Sequence, residues 1–406
     1  MKRKCFRSIC INVCAFALVL AAVLMLGTVP AKADTGKAVR VSTVKELKSA
    51  MKNSNVGTIY FRTQAYLTVK IPSVKKASGK ELIIDAPNCV ITNKSKFLSI
   101  NILKAASYTE AASGNVITLT GQFIDFTVAK KKTVTELTIC DPALPEGNLE
   151  YTLRKGAKIE SLQLMYTKLE LPQVSEYNAK KKTLRFAFKN IYDLDETHIY
   201  KLDKYGRITS SVNPHPEFGT EAAFKYDKNG NLLTTTVDDN RGYIVETFTY
   251  DKKYRPVKSV STEEGEFFNQ YDYDYDAKGN LVKISYKEAG DYTSVTETTY
   301  DSKGRPITNT STGGDHSYKY VYTYDANGLR IKTESTVDGQ KSTTYTYEYN
   351  KRGDKLKETW TSVANTKMVY GYYYDDLGEL IDRDYTDTDG DVHKMTLDGA
   401  LLNSVD

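Results

Sequence analysis

Tyrosines occupy every second position of the stretch SYKYVYTYD, at Tyr318, Tyr320, Tyr322 and Tyr324. A tyrosine ring has an apolar face and a polar hydroxyl, so a row of such rings can stack against sugar rings. The same alternation returns in YTYEY (345–349) and YGYYY (370–374), and the only tryptophan lies between these two stretches. The candidate ligand-binding residues are therefore Trp360, Tyr318, Tyr320, Tyr322, Tyr345, Tyr347, Tyr370 and Tyr372.

Residues that would support catalysis or bind a metal do not form a recognisable motif. No dinucleotide-binding, P-loop or G-x-S-x-G signature occurs, although a Ser-His-Asp group assembled from distant positions stays open. The stretch DTDGD (387–391) fails the EF-hand spacing, and we interpret it as a hairpin turn. The four histidines follow no metal-binding pattern: His198, His215, His316 and His393. We therefore predict no catalytic residue, no metal and no cofactor.

Eight copies of a short unit, typified by YDAKG and YDSKG, divide the C-terminal half of the chain. Their second residues recur every 24 or 25 positions from residue 203 to residue 375, which indicates a repeat architecture. The Asp side chain can accept a backbone N–H two residues further on, and the Gly can adopt the positive φ that completes the turn. The predicted turn residues are Asp227, Gly230, Asp276, Gly279, Asp301, Gly304, Asp325, Gly328, Asp375 and Gly378.

A second series of turn signals, such as Glu264-Gly265 and Asp338-Gly339, lies between the first ones. Thr, Val, Tyr and Ile alternate between the turns, so each repeat predicts two antiparallel strands and eight repeats predict about sixteen. Of the 31 tyrosines, 23 lie in residues 201–406 and would form ladders across the sheet. Two interpretations stay open: the tyrosines stabilise the sheet by cross-strand pairing, or they expose a sugar-stacking surface.

The units YDAKGNLV (275–282) and YDSKGRPI (300–307) resemble the YD repeats of the RHS/YD-repeat proteins, over about residues 197–385. This resemblance implies a spiralling β-sheet, which long members close into a shell, and often sugar-binding or adhesive activity. IDRDYTDTDGD (381–391) does not match the family's core signature, and the chain ends at Asp406 without an effector domain. We therefore expect an open curved sheet and no toxin-delivery role.

The N-terminal half predicts a different arrangement of strands. VRVSTVKELKSAMK (40–53) predicts a strand and a short capping helix, and apolar strands such as ELIID (81–85) and NVITLT (115–120) follow. This order resembles the start of a pectin-lyase-like right-handed parallel β-helix, with rungs of about 20–25 residues. A β-sandwich is the alternative. Lyase chemistry is not implied, because the few carboxylates of residues 51–130 form no pair at ligand spacing: Glu81, Asp85, Glu110 and Asp125.

The first 33 residues have the pattern of an export signal. A basic start, an apolar run over residues 13–27 and the sequence Ala-Lys-Ala predict cleavage between Ala33 and Asp34. We therefore expect a secreted chain with no stable membrane span, an uncleaved anchor being the alternative. Cys89 and Cys140 remain after cleavage, and secretion permits a disulfide between them. Their spacing of 51 residues also suits stacking in a β-helix without a bridge.

Charge divides the cleaved chain into two blocks. Residues 34–170 carry 20 basic and 12 acidic side chains, whereas residues 171–406 carry 31 basic and 39 acidic ones. Blocks of opposite sign indicate two domains, and the net charge of zero argues against nucleic-acid binding. The predicted organisation is a signal peptide (1–33), a β-helix-like domain (34–170), a junction (171–196) and a YD-repeat sheet (197–406).

Together these patterns predict an all-β, secreted, non-catalytic binding or adhesion protein of the cell envelope. Its expected partner is a cell-wall or extracellular glycan, or a surface protein, contacted through the tyrosines. The first alternative is a degenerate polysaccharide lyase or hydrolase. The second is a structural shell or spacer of an RHS-type toxin or competition system.

Overall fold

The protein is all-β, with its strands arranged in two sheets. The computed structural model describes residues 36–121, 124–141, 151–167, 172–189, 194–214, 219–238 and 242–397. The predicted signal peptide, the predicted cleavage site and His215 lie outside these ranges. Within them, no helix is long and apolar enough to cross a membrane.

The first sheet, which we call the parallel unit, occupies residues 37–165 of the chain. The order β1-β2-β4-β5-β6-β8-β10 is parallel throughout, and β3, β7 and β9 pair beside it. Its strands are β1 (Lys37–Val41), β2 (Val56–Arg62), β3 (Leu67–Ile71), β4 (Glu81–Asn93), β5 (Ser99–Glu110), β6 (Asn115–Leu119), β7 (Asp125–Val128), β8 (Thr133–Cys140), β9 (Tyr151–Leu153) and β10 (Lys158–Met165).

One aliphatic residue from each of five consecutive strands forms a buried stack in the parallel unit. Successive members pair directly across the sheet and lie 17–25 residues apart in the chain. Because apolar side chains alternate with polar ones, each strand buries one face and exposes the other. The predicted apolar strands and their parallel pairing are thus confirmed. The stack comprises Leu82, Ile100, Ile117, Leu137 and Leu162.

A single α-helix, α1 (Val44–Lys52), follows β1, as the sequence predicts. Its N-terminus carries a capping box, in which the Thr43 side chain accepts the Glu46 N–H and the Glu46 carboxylate accepts the Thr43 N–H. Leu47 and Met51 are fully buried beneath it. A short 3-10 helix (Lys75–Gly79) lies between β3 and β4.

The second sheet, which we call the repeat sheet, contains 19 strands, each antiparallel to the next. The two-residue turns at Glu264-Gly265 and Asp338-Gly339 have positive φ at both positions, as type I′ hairpins require. The strands are β11 (Gln173–Asn178), β12 (Thr183–Lys189), β13 (Asp195–Leu202), β14 (Ile208–Asn213), β15 (Thr220–Tyr226), β16 (Leu232–Asp238), β17 (Tyr243–Tyr250), β18 (Pro256–Glu263), β19 (Glu266–Tyr275), β20 (Leu281–Glu288), β21 (Thr293–Tyr300), β22 (Pro306–Gly313), β23 (His316–Tyr324), β24 (Arg330–Val337), β25 (Gln340–Tyr349), β26 (Lys355–Ser362), β27 (Lys367–Tyr374), β28 (Leu380–Thr386) and β29 (Val392–Met395).

The repeat sheet begins earlier than the sequence predicts. Residues 173–189, assigned above to the junction, form β11 and β12 of this sheet. Leu184, Phe186 and Phe188 alternate along β12 and are buried, which gives that strand an apolar face. Tyr166, next to β10, packs against both phenylalanine rings at centroid distances of 5.4 and 4.8 Å. The core of the parallel unit therefore continues into the first strands of the repeat sheet.

Cys89 and Cys140 are free, buried thiols and do not form the disulfide that the sequence left open. Cys89 belongs to β4 and Cys140 to β8, and β5 and β6 lie between these strands. Three strand spacings amount to about 14 Å, twice the largest Cα separation that a disulfide spans.

Candidate functional site: the tyrosine face of the repeat sheet

The predicted Asp turns form as expected and contain one further hydrogen bond. Asp301 Oδ1 accepts the N–H of Lys303 at 2.9 Å, which is the predicted bond, and also the N–H of Arg305 at 2.9 Å. Its Oδ2 accepts from Arg305 Nε at 2.6 Å. Gly304 has φ +81°, in the left-handed region that glycine tolerates. The DTDGD stretch is a turn of the same type, since Asp387 accepts the N–H of Asp389 at 3.0 Å.

The residue after the turn glycine links one repeat to the next. In three repeats it is an arginine that binds the Asp of its own turn and lies over the tyrosine that precedes the next turn. The three arginine-to-ring distances are 4.8 Å for Arg207 over Tyr226, 4.2 Å for Arg255 over Tyr275 and 4.7 Å for Arg305 over Tyr324. The sequence shows this arginine as the fifth letter of DSKGR, but its stacking on the next repeat was not predicted.

The tyrosine directly before each turn is part of the sheet's own hydrogen bonding. Its hydroxyl donates to a backbone carbonyl 18 or 19 residues earlier, one repeat back. For this set of tyrosines the structural interpretation therefore holds. The donors are Tyr250, Tyr275, Tyr300, Tyr324 and Tyr349, at distances of 2.7–2.9 Å.

Several of the turns pack directly against the parallel unit. The Ile159 N–H donates to Tyr205 O at 2.9 Å, and the Tyr66 N–H donates to Gly328 O at 3.1 Å. The Tyr151 hydroxyl donates to Gly206 O at 2.8 Å. The conformation of each turn therefore determines how the repeat sheet sits on the parallel unit.

Two arginines of the parallel unit bind acidic residues that follow turn glycines. Arg40 forms a bidentate ion pair with Asp354, and Arg62 binds Glu379 at 3.1 Å. Asp354 and Glu379 occupy the position that arginine holds in other repeats. Asp85 borders a small cavity of about 30 Å³ beside these pairs, a volume that suits a single water molecule.

The eight candidate ligand-binding residues lie on one face of the repeat sheet, which we call the tyrosine face. Strand alternation puts Tyr318, Tyr320 and Tyr322 on the same side of β23, and their partners on β24 are small. Tyr320 pairs with Ser335 and Tyr322 with Thr333. Ser335 and Thr333 are buried, because the larger rings on either side cover them. The predicted ladder is therefore an alternation of aromatic and small rows.

Aromatic residues meet directly across strands toward the C-terminal end of the tyrosine face. Tyr345 is paired with Trp360, which in turn is paired with Met368. Tyr370 is paired with Tyr385, and their ring centroids are 6.0 Å apart. Except for Tyr318, which is 42% exposed, and Tyr372, which is buried, the candidate residues are partly buried. Partly buried rings are fixed by their neighbours and still present one edge or face to solvent.

Cations lie between the tyrosines of the last three repeats. The Arg330 guanidinium is 5.4 Å from the ring centres of both Tyr322 and Tyr347. Lys355 Nζ is 4.4 Å from the ring centre of Tyr372, whose hydroxyl donates to Glu358 at 3.2 Å. Burial and the neighbouring Glu358 carboxylate raise the pKa of Tyr372 well above its ordinary value, so it remains a neutral donor. The sequence analysis identified these tyrosines but not the cations between them.

The carboxylates that the sequence analysis considered for lyase chemistry are spread over the parallel unit. Glu110 is fully buried and accepts hydrogen bonds from Tyr108 at 3.0 Å and from the Ala112 N–H at 2.7 Å. Burial raises the pKa of Glu110. Over the described ranges, no group of three or more His, Cys, Asp or Glu side chains could hold a metal ion.

Comparisons with known proteins leave the family open. No family model and no curated protein matches the chain. TcdB2-TccC3 aligns at 12% identity and a TM-score of 0.27, over 55% of this chain and 16% of that chain. TcdB2-TccC3-Cdc42 aligns at 12% identity and 0.26, over 54% and 16%, and a porin-like protein from Bacteroides uniformis aligns at 14% identity and 0.25, over 53% and 94%. At these TM-scores the likenesses carry no argument, so the RHS/YD-repeat resemblance stays a prediction.

Proposed function

We propose that this chain is a secreted, non-catalytic binding protein that holds a glycan on the tyrosine face of its repeat sheet. The observation that carries the proposal is the pairing of Tyr345 with Trp360 beside Tyr370 and Tyr385. Aromatic rings fixed by their neighbours lose little conformational entropy on binding, and each ring offers an apolar surface to a sugar. The buried hydroxyl rows between the aromatic rows add hydrogen-bonding groups.

The experiment uses purified residues 34–406 and insoluble cell-wall polysaccharide or peptidoglycan in a sedimentation assay. Soluble fragments of the retained polymer are then titrated while the fluorescence of Trp360 is followed. Because Trp360 is the only tryptophan, a change in its emission reports on the tyrosine face alone. We expect retention of the wild type and a saturable shift in emission.

A matched pair of substitutions separates binding from general loss of a tyrosine. Tyr345→Ala removes a ring from the tyrosine face and should weaken binding by roughly 3–10-fold. Tyr373→Ala removes a ring that is 48% exposed on the opposite face and should leave binding unchanged. Equal effects of both substitutions, or an unchanged emission during retention, would contradict a site on the tyrosine face.

The structural alternative, a shell or spacer, is favoured by the hydrogen bonds that the tyrosines before the turns make within the sheet. That function requires no glycan. A wild-type chain that is not retained on any polymer and shows a flat Trp360 titration would support it. No observation among the described residues favours the enzymatic alternative.

A further inference from the structure

The second residue after the turn glycine changes character along the repeat sheet. In the first five repeats it is aliphatic or proline, whereas in the sixth and seventh it is a cation, Arg330 and Lys355. The first five are Ile208, Leu232, Pro256, Leu281 and Pro306. Two adjacent repeats thus replace an apolar contact with a positive charge on the tyrosine face.

Arg330 has no carboxylate partner among the described residues. Its guanidinium lies between Tyr322 and Tyr347, with ring centres at 5.4 Å on either side, and the side chain is partly buried. The nearby acidic residues Asp354 and Glu379 are already bound to Arg40 and Arg62 of the parallel unit. A partly buried guanidinium held by rings alone keeps its hydrogen-bond donors available for an incoming anion.

Arg330 is the first of three cations that continue across the sheet. Lys355 lies 5.8 Å from the Tyr347 ring centre and 4.4 Å from the Tyr372 ring centre, and Arg383 lies 5.0 Å from Tyr372 on its other side. Glu358 binds Lys355 at 2.6 Å and is the one carboxylate that these contacts place within the row. The row of cations therefore carries a net positive charge.

Cations in successive repeats are two strands apart, which corresponds to about 9.6 Å across the sheet. That distance is comparable with the length of a disaccharide. A tyrosine ring lies between each pair of cations, at the position that a sugar ring of a bound chain would occupy. Charge and aromatic surface therefore alternate at the period of a chain with one anionic group on every second sugar.

We propose that the tyrosine face binds an acidic polysaccharide across its strands, with Arg330 pairing with a uronate carboxylate and Tyr322 and Tyr347 stacking on the adjoining sugars. This inference rests on the proposed function and names its ligand class. Lys355 and Arg383 contact the next anionic groups of the same chain. A guanidinium suits a carboxylate because its fork of donors can bind both oxygens.

The test compares three probes by isothermal titration calorimetry at low salt. They are a hyaluronan octasaccharide, which carries a carboxylate on alternate sugars, its carboxyl-reduced neutral form, and polyphosphate of similar length. We expect residues 34–406 to bind the octasaccharide more tightly than both other probes. The Arg330→Gln variant should bind it about tenfold or more weakly, because a charge-assisted pair is lost. Its affinity for the neutral form should be unchanged.

Lys332→Gln is the matched control, because Lys332 lies on the same strand, two residues from Arg330, and is exposed with Glu334 as its partner. It removes the same charge and should change affinity less than twofold. Arg330→Lys, which keeps the charge, should retain part of the affinity, and the urea midpoint of each variant checks its folding. Equal losses in Arg330→Gln and Lys332→Gln, or equal binding of polyphosphate, would overturn the inference. Equal binding of the acidic and neutral octasaccharides would refute it and leave the proposed function standing, whereas no binding of either would refute both.

Discussion

The packing of the turns on the parallel unit makes a specific prediction for Gly206. A Cβ at this position would lie 2.7 Å from Ile159 O and 3.1 Å from Ile159 Cβ, so the turn would have to move away from the parallel unit. The residue also has φ +88°. Gly290 is the matched control, because its φ is +90° but a Cβ there would meet nothing within 4 Å.

The expected magnitudes follow from the contacts at each position. Both Gly206→Ala and Gly290→Ala place a side chain in the left-handed region, which costs about 1–2 kcal/mol. Only Gly206→Ala also displaces the bonds Ile159 N–H to Tyr205 O (2.9 Å) and Tyr151 hydroxyl to Gly206 O (2.8 Å). At about 0.5–1.5 kcal/mol for each bond, it should destabilise the protein by roughly 1–3 kcal/mol more than the control.

The assay is equilibrium unfolding in urea, followed by circular dichroism and by the fluorescence of Trp360. The extra loss in Gly206→Ala should appear as a lower urea midpoint and as faster cleavage by a protease between the two sheets. Equal unfolding free energies for the two variants would show that the turn makes no energetic contact with the parallel unit, and the proposed docking would be wrong.

Three further predictions concern the turns, the tyrosines and the thiols. Hydrogen bonds from the Arg255 N–H and guanidinium lower the folded pKa of Asp251 below its unfolded value, so the folded state binds fewer protons and their stabilisation is complete above about pH 4 and lost as pH falls through the folded pKa. The urea midpoint should therefore fall below pH 4, and an equal fall in Asp251→Asn would contradict this. Tyr300→Phe removes the hydroxyl bond to the preceding repeat and should cost about 1 kcal/mol in urea unfolding, whereas Phe at the exposed Tyr243 should cost nothing measurable. Burial raises the pKa values of Cys89 and Cys140 to about 12, so neither thiol should react with a disulfide reagent at pH 8 until urea unfolds the chain, and rapid labelling of the native protein would refute their burial.

The repeat sheet was predictable to a large extent because its signals are local. The Asp and Gly of each turn act within five residues, and period-two alternation defines each strand without reference to the rest of the chain. The parallel strands of the N-terminal half were also predictable, from short apolar runs such as those containing Leu82 and Ile117. Residues 173–189 were not, since β11 and β12 lack the YD signature and are identified by the apolar face of β12.

The candidate site could be predicted only in its aromatic half. Alternation alone places Tyr318, Tyr320 and Tyr322 on a common face, because successive side chains of a strand point to opposite sides. The position of Arg330 between Tyr322 and Tyr347 depends on the pairing of strands that are not adjacent in a single turn, and no spacing in the sequence expresses it.

Residue order alone is sufficient for the repeat period, the turn chemistry and the all-β class, since each arises from interactions over a few residues. The contacts of Gly206 with Ile159 and of Asp354 with Arg40 join positions between about 50 and 300 residues apart, and they depend on how the two sheets pack. The free state of the cysteines has the same origin, because the order of strands in the parallel unit separates β4 from β8. Packing between distant segments also determines which tyrosines bond within the sheet and which keep a surface for a ligand.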